Sequence, residues 1–270
     1  LKHAVTLIHP RDRRAMFAIP WEGVSLIGTT DLDHTFPLAN CEPFCTADEI
    51  DYILNAASDT FPALQLGHTD ILSTFSGLRP IINTGQADPS KESRAHVVWQ
   101  EHGLITVTGG KYTTFRIMAQ QALQMAASRL PHPADFTGKK RYFAPLPSEN
   151  SPSHLAEDHH LYLLGRYGNE TSALLEAAAA DENEPIHHLP NLWSEVRWAA
   201  RSGAVEHLDD LLLRRVRLGL LLPEGARADM DRIGKIIRPE LGWDEPHWQA
   251  ELKRYLEIYH KAYSPQPGGC

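Results

Sequence analysis

Cysteine is scarce: Cys41, Cys45 and Cys270 are the only three in 270 residues. Three thiols cannot pair completely, and Cys41 and Cys45 have no second cysteine or histidine pair at zinc-ribbon spacing. A disulfide scaffold is excluded, and the cysteines read as reduced thiols of a cytosolic protein. Long apolar runs are missing too. The longest, Leu211 to Leu213 and Leu218 to Leu222, are flanked or interrupted by arginines and fall far short of the ~20 residues that span a bilayer. No signal peptide is visible. Positive charge is not in excess: 26 Lys and Arg stand against 34 Asp and Glu, a net charge of −8. That balance argues against a general nucleic-acid binder, which needs a basic stripe, but leaves room for a few arginines around a small anion. No G-x-G-x-x-G fingerprint occurs. The nearest approach to a phosphate-binding P-loop has Ile105 where glycine is required and Tyr112 where Ser or Thr is required. Fifteen histidines are present, but His159-His160 and His187-His188 are adjacent pairs whose side chains do not face one site, and no metal is assigned. The chain also lacks an initiating methionine. It opens on Leu1 with residues 4–8 already reading as a strand, so a piece of a longer protein is expected.

What is present divides into a β-rich and an α-rich half. Residues 4–8, 14–19 and 24–28 are short β-rich runs, the first two joined by the turn Pro10-Arg11-Asp12-Arg13. A helix is predicted over about 48–58, where Thr46 and Glu49 form a capping box and Ile50, Ile53, Leu54 and Ala57 share one face. Extended stretches follow at 71–75 and 78–83, then a polar loop at 84–93 and a strand at 95–100. From 104 to 108 the sequence is β-branched, Gly109-Gly110 turns it, and from Tyr112 the apolar period changes to that of a helix reaching about Leu130. A Pro-containing stretch at 131–152 reads as a linker. Beyond it, 153–167, 170–180, 192–202, 207–222, 228–237 and 245–263 read as helices, and 264–270 as a tail. The fold class is α+β.

Three places carry chemistry. The Gly109-Gly110 corner lets the backbone approach a ligand closely. The helix start after it offers unpaired N–H groups and a partial positive charge, joined by Lys111, Thr113 and Thr114, so it suits an anion or an electron-rich carbonyl. The glycines read equally as a plain corner. Arg79, in Ser76-Gly77-Leu78-Arg79-Pro80, is an arginine inside an apolar extended segment, and Arg94 stands before the next strand. Two guanidinium groups suit a phosphomonoester, but on the residues alone the reading as structural salt bridges with Asp88 or Glu92 stands slightly ahead. Gly28-Thr29-Thr30-Asp31 closes a strand, with Asp31 positioning a loop or capping a turn. The segment Asp209 to Arg215 reads as an amphipathic helix whose charges pair with neighbouring helices.

Taken in order, Ile19-Pro20-Trp21, Ile27-Gly28-Thr29-Thr30-Asp31, Ser76-Gly77-Leu78-Arg79-Pro80, Thr108-Gly109-Gly110-Lys111-Tyr112-Thr113-Thr114-Phe115-Arg116 and Leu208-Asp209-Asp210 with Arg214-Arg215 closely resemble the FAD-dependent glycerol-3-phosphate dehydrogenases of bacteria and mitochondria. These are flavoproteins of the D-amino-acid-oxidase-like kind, and the resemblance runs over about residues 1–222.

The resemblance implies a truncated substrate-domain antiparallel sheet with one helix over 1–103. It implies a strand-glycine-helix return to an FAD-binding domain over 104–130, the linker over 131–152 and a helical C-terminal domain over 153–263. It assigns Gly109, Gly110, Lys111, Tyr112, Thr113 and Arg79 to FAD, and Arg79, Arg94 and Lys111 to the substrate phosphate. The implied reaction oxidises sn-glycerol 3-phosphate to dihydroxyacetone phosphate, with hydride passing to FAD and electrons to a quinone. No catalytic base is assigned. The fragment alone is expected neither to retain FAD nor to turn over. The implied setting is cytoplasmic and peripheral on the membrane surface, with a homodimer as the admissible assembly. The alternatives are a flavin oxidase of a related hydroxy acid or amine, and a helical interaction module.

Overall fold

The computed structural model describes residues 1–32, 42–79, 95–131, 145, 155–266 and 268. The chain divides into two compact units, the larger comprising 1–30, 36–77 and 146–270, the smaller 31–35 and 78–145.

In the larger unit, β1 (Val5–Ile8), β2 (Ala15–Trp21) and β3 (Val24–Gly28) form an antiparallel sheet in that order. Alternation sets its faces: Leu7, Met16 and Ala18 are fully buried, while Phe17 between the last two is exposed. The buried face packs on Ala56 of α1 (Ala47–Thr60), with Val5, Ile27 and Ile53 around it. The predicted capping box is present. Thr46 accepts from the Glu49 N–H, and Glu49 accepts from the Thr46 N–H at 3.0 Å. The other Glu49 oxygen accepts from the Thr30 hydroxyl at 2.6 Å, tying the end of the sheet to the helix start.

Two residues, Glu22 and Gly23, join β2 to β3, both with positive φ (47° and 89°), as a tight hairpin between twisted strands requires. This tip, with Trp21 and Val24, packs against the core of the helical part. The helices are α3 (Glu157–Tyr167), α4 (Thr171–Ala177), α5 (Trp193–Ser202), α6 (Leu218–Leu221), α7 (Met230–Leu241) and α8 (Glu245–Ile258). Leu208, Leu211, Leu212, Ile233, Ile237, Tyr255 and Tyr259 are among the residues of their common core. An extended strap also crosses to them. The Tyr259 hydroxyl donates to Leu72 O at 3.1 Å, Ser73 Oγ to Leu220 O at 2.7 Å, and Thr74 N to Tyr263 O at 2.9 Å.

The single helix predicted over 207–222 is broken. Asp210–Arg215 is a turn of π-helix, and Arg217 takes a left-handed conformation (φ 58°) before α6. From there Arg217 pairs with Glu22 and lies 5.4 Å from the centre of the Trp21 ring, so the break serves the hairpin tip. The predicted ion pairs of this segment are present: Asp209 accepts from Arg214 at 2.5 Å and also from Arg254. At the far end, α7 runs past Pro239 and closes at Gly242 (φ 67°). The helix predicted over 245–263 becomes α8 followed by a π-turn at Tyr259–Tyr263.

Arg197 bridges Glu182 (2.6 Å) and Glu240 (2.5 Å), and Arg201 joins Glu240 at 2.8 Å, linking α5 to α7. Hydrogen bonding from Arg201, opposed by burial and reinforced by Arg197, holds Glu240 below the usual carboxylate range. A depressed folded-state value contributes stability that is present above the unfolded value, ~4.3, and lost as pH falls through the folded one. Calorimetric Tm is therefore expected to hold from pH 7 to about 5 and to fall below about 4, with Glu240→Gln starting lower and falling less.

The smaller unit contains a second sheet. The strands β4 (His96–Glu101) and β5 (Leu104–Gly109) form an antiparallel hairpin through His102 and Gly103, both with positive φ. The strand β4, read from the sequence with the preceding sheet, pairs with β5. The helix α2 (Phe115–Ala126) packs on this hairpin, helped by His96 Nε2 and Gln121 Oε1 at 2.7 Å.

Candidate active site

The candidate residues that lie within the described part, Arg79, Gly109, Gly110, Lys111, Tyr112 and Thr113, all fall in the smaller unit. Arg94 lies outside the described residues, as do Asp88 and Glu92.

At the end of β5 the chain reverses through Gly109 (φ 74°) and Gly110 (φ 85°). Both angles are in the region that a side chain rarely adopts. At Gly110 space is decisive as well. A Cβ there would stand 2.6 Å from Met118 Sδ and 3.1 Å from His96 Cβ, so the absent side chain lets the turn close onto α2 and β4. The helix predicted to begin at Tyr112 is delayed. A 3₁₀ turn occupies Tyr112–Thr114, and α2 starts at Phe115. The reason is local: Thr114 Oγ1 accepts from the Lys111 N–H at 3.1 Å and donates to Lys111 O at 2.8 Å, which closes a tighter first turn.

The N–H groups of Tyr112 and Thr113 precede the first bond inside that turn, Thr114 N to Lys111 O at 2.9 Å, and find no acceptor within it. Lys111 is exposed and makes no ion pair among the described residues. Tyr112 is 93% exposed and lies beside Phe115, with ring centres 6.3 Å apart. A glycine corner, two N–H groups with no acceptor among the described residues and an ammonium thus present donors at one point of the chain, with an exposed aromatic ring beside them. Such a set fits an anion, or the electron-rich edge of a heteroaromatic ring on which negative charge builds.

Arg79 is half-exposed, and its partner is Asp31, which the sequence reading had assigned to a turn. One guanidinium nitrogen, Nη1, donates to both carboxylate oxygens at 3.1 and 3.0 Å. The ion pair expected on the structural reading is therefore real, but with a different acid. Since only Nη1 is engaged in it, Nε and Nη2 still carry donors that can meet a phosphate.

Among the described residues, no group of three His, Cys, Asp or Glu side chains is placed to hold a metal. Cys45 is buried, its thiol accepting from Ser76 Oγ at 3.4 Å, and burial pushes that thiol above its ordinary value. That shift disfavours the thiolate that a nucleophile needs.

Residues 105–247 match the family described as the C-terminal domain of alpha-glycerophosphate oxidase, and residues 2–116 match that of FAD-dependent oxidoreductases. Among curated proteins, glycerol-3-phosphate dehydrogenase 2 of Mycobacterium bovis is 34% identical over 93% of this chain and 45% of its own length. The aerobic glycerol-3-phosphate dehydrogenase of Bacillus subtilis is 27% identical over 98% of this chain and 51% of its own. The chain thus spans about half the length of these relatives. Among solved structures, that of the glycerol-3-phosphate dehydrogenase from Bacillus halodurans, complexed with FAD, superposes with a TM-score of 0.70 at 24% identity. It covers all of this chain and 55% of that one, a likeness of fold.

Proposed function

The chain belongs to the family of the C-terminal domain of alpha-glycerophosphate oxidase, and from that premise we propose that it is the C-terminal portion of an FAD-dependent enzyme oxidising sn-glycerol 3-phosphate to dihydroxyacetone phosphate. The observation that carries the reading is the donor cluster at Gly109-Gly110-Lys111, together with the half-exposed guanidinium of Arg79 in the same unit.

In this reading β1 to β3 belong to the substrate domain, β4, β5 and α2 to the FAD-binding domain, and α3 to α8 to a helical extension. Bound FAD supplies the hydride acceptor. The chain's own residues supply placement and charge. The N–H groups after Gly110 and the Lys111 ammonium stabilise negative charge at the pyrimidine edge of the ring system. The two glycines let the backbone come close to it. Tyr112 and Thr113 line the same turn. Arg79 and Arg94 hold the phosphate by charge-assisted hydrogen bonds, fixing the secondary alcohol for transfer, and Lys111 reaches both ligands. The electrons pass on to a quinone at a membrane surface. No helix among the described residues is long and apolar enough to cross a membrane; in this reading the contact with the membrane is peripheral and a homodimer is the admissible assembly.

The test is an anaerobic absorption spectrum of the flavin-loaded full-length protein before and after adding glycerol 3-phosphate. Bleaching of the flavin band is expected. A band that persists with glycerol 3-phosphate but bleaches with another hydroxy acid or an amine would move the substrate assignment to that compound.

A further inference from the structure

Asp31 is the only acid among the described residues that is paired with Arg79, and a carboxylate beside a phosphate-binding guanidinium can act in two opposite ways. It can neutralise the cation and compete with the phosphate, in which case removing it strengthens binding. It can instead hold the guanidinium in the geometry that the phosphate needs, in which case removing it weakens binding. Resting on the phosphate role given to Arg79 above, we propose that Asp31 is a positioning residue of the second kind.

Three observations favour it. First, the carboxylate grips a single nitrogen with both oxygens, at 3.0 and 3.1 Å. It therefore leaves the opposite edge of the guanidinium, Nε and Nη2, with its two parallel donors, and that is the edge which pairs bidentately with a phosphate. A competitor would occupy the edge itself. Second, exposure is unequal: the Asp31 side chain is 21% exposed and that of Arg79 52%. The acid is the seated partner, and the arginine is the one that would otherwise swing. Third, Asp31 and Arg79 belong to the same compact unit, so their pairing is set within it.

The gain is entropic. A free arginine side chain loses much of its rotamer freedom when it is immobilised. If the ion pair has already restricted Arg79, the phosphate meets a side chain whose ordering is largely complete. Half-exposed ion pairs add little to folding stability, so the benefit is expressed in substrate affinity.

The experiment compares Asp31→Ala and Asp31→Asn with the unsubstituted protein, full-length and loaded with flavin. It uses glycerol 3-phosphate as substrate and inorganic phosphate as a competitive probe. Asp31→Ala is expected to raise KM about fivefold, with kcat within about twofold and the inhibition constant of phosphate rising in step. Asp31→Asn keeps one oxygen acceptor and is expected to recover part of the loss. It carries the test if the alanine variant fails to hold flavin. A purely structural role would lower Tm and leave KM and the phosphate constant unchanged. A KM that falls, or moves in neither variant, overturns the proposal and leaves Asp31 a competitor or a bystander. If glycerol 3-phosphate fails to bleach the unsubstituted flavoprotein, the substrate reading fails instead. Phosphate inhibition of whichever substrate does react then still decides the role of Asp31.

Discussion

Replacing Arg79 by alanine is expected to lower kcat/KM for glycerol 3-phosphate about a hundredfold or more in the flavin-loaded full-length protein, most of it through KM. The size follows from what is removed. A phosphate dianion deprived of one charge-assisted, two-pronged partner loses on the order of 2–4 kcal/mol, and every 1.4 kcal/mol is a factor of ten. Alanine also removes the guanidinium that faces Asp31, so the negative charge of that carboxylate is no longer offset by Arg79 and adds to the deficit. Arg79→Lys keeps the charge and loses the fork, so a loss of about tenfold is expected. Flavin content is measured alongside, because the resemblance assigns Arg79 to FAD as well as to the phosphate. Steady-state kinetics decide it. A change below about threefold in Arg79→Ala would mean that the guanidinium serves the Asp31 ion pair alone.

Arg166→Met is expected to destabilise the larger unit by about 3–5 kcal/mol, read as the shift in denaturant midpoint at constant slope. Arg166 reaches from α3 to Glu22 at 3.1 Å and to the fully buried Glu195 at 3.6 Å. It also donates to Tyr162 OH at 2.8 Å and Arg215 O at 2.5 Å. Its removal leaves Glu195 without its cation, and Glu22 with Arg217 alone. Burial already raises the Glu195 value against the pull of Arg166, so losing the arginine raises it further. An acid with a raised folded-state value binds its proton more tightly folded than unfolded, and the raised value costs stability as pH climbs above ~4.3. The deficit of the variant is therefore expected to be larger at pH 8 than at pH 5. Glu195→Gln in the same chain should recover part of it. An equal deficit at both values would show that Glu195 is not the group left uncompensated.

The fold and the candidate site were partly legible in the sequence, and the reasons for the gaps are specific; the Arg166 cluster, which joins residues far apart in sequence, was not legible. Local signals were reliable. The Thr46 and Glu49 capping box, the Gly109-Gly110 corner and the change of period after it depend on residues within one turn of each other, and each gave the element found. The pairing of Arg79 with Asp31 could not be read, because the two lie 48 residues apart and local spacing favoured Asp88 and Glu92. The 3₁₀ start of α2 was hidden because a threonine at position 114 looks like a ligand donor, when its hydroxyl is engaged with Lys111. The helix predicted over 207–222 had the right composition. The break coincides with Arg217 pairing with Glu22, a contact across 195 residues that no local pattern reveals. The charges of 209–215, by contrast, were expected to pair with neighbouring helices; Asp209 does so through Arg254 of α8, while Arg214 pairs within its own segment.

The β2–β3 tip has a consequence for how the protein comes to exist. Glu22 meets Arg217 across 195 residues, and Thr74 meets Ser264 across 190. At about 5–20 residues per second a ribosome takes roughly 10–40 s to make that much chain. Throughout that interval Trp21 and Glu22 are already synthesised while the helices that cover them are still being made. The sheet must therefore wait, half-finished and sticky, and the order of delivery from the ribosome becomes part of what protects the newborn protein from aggregation.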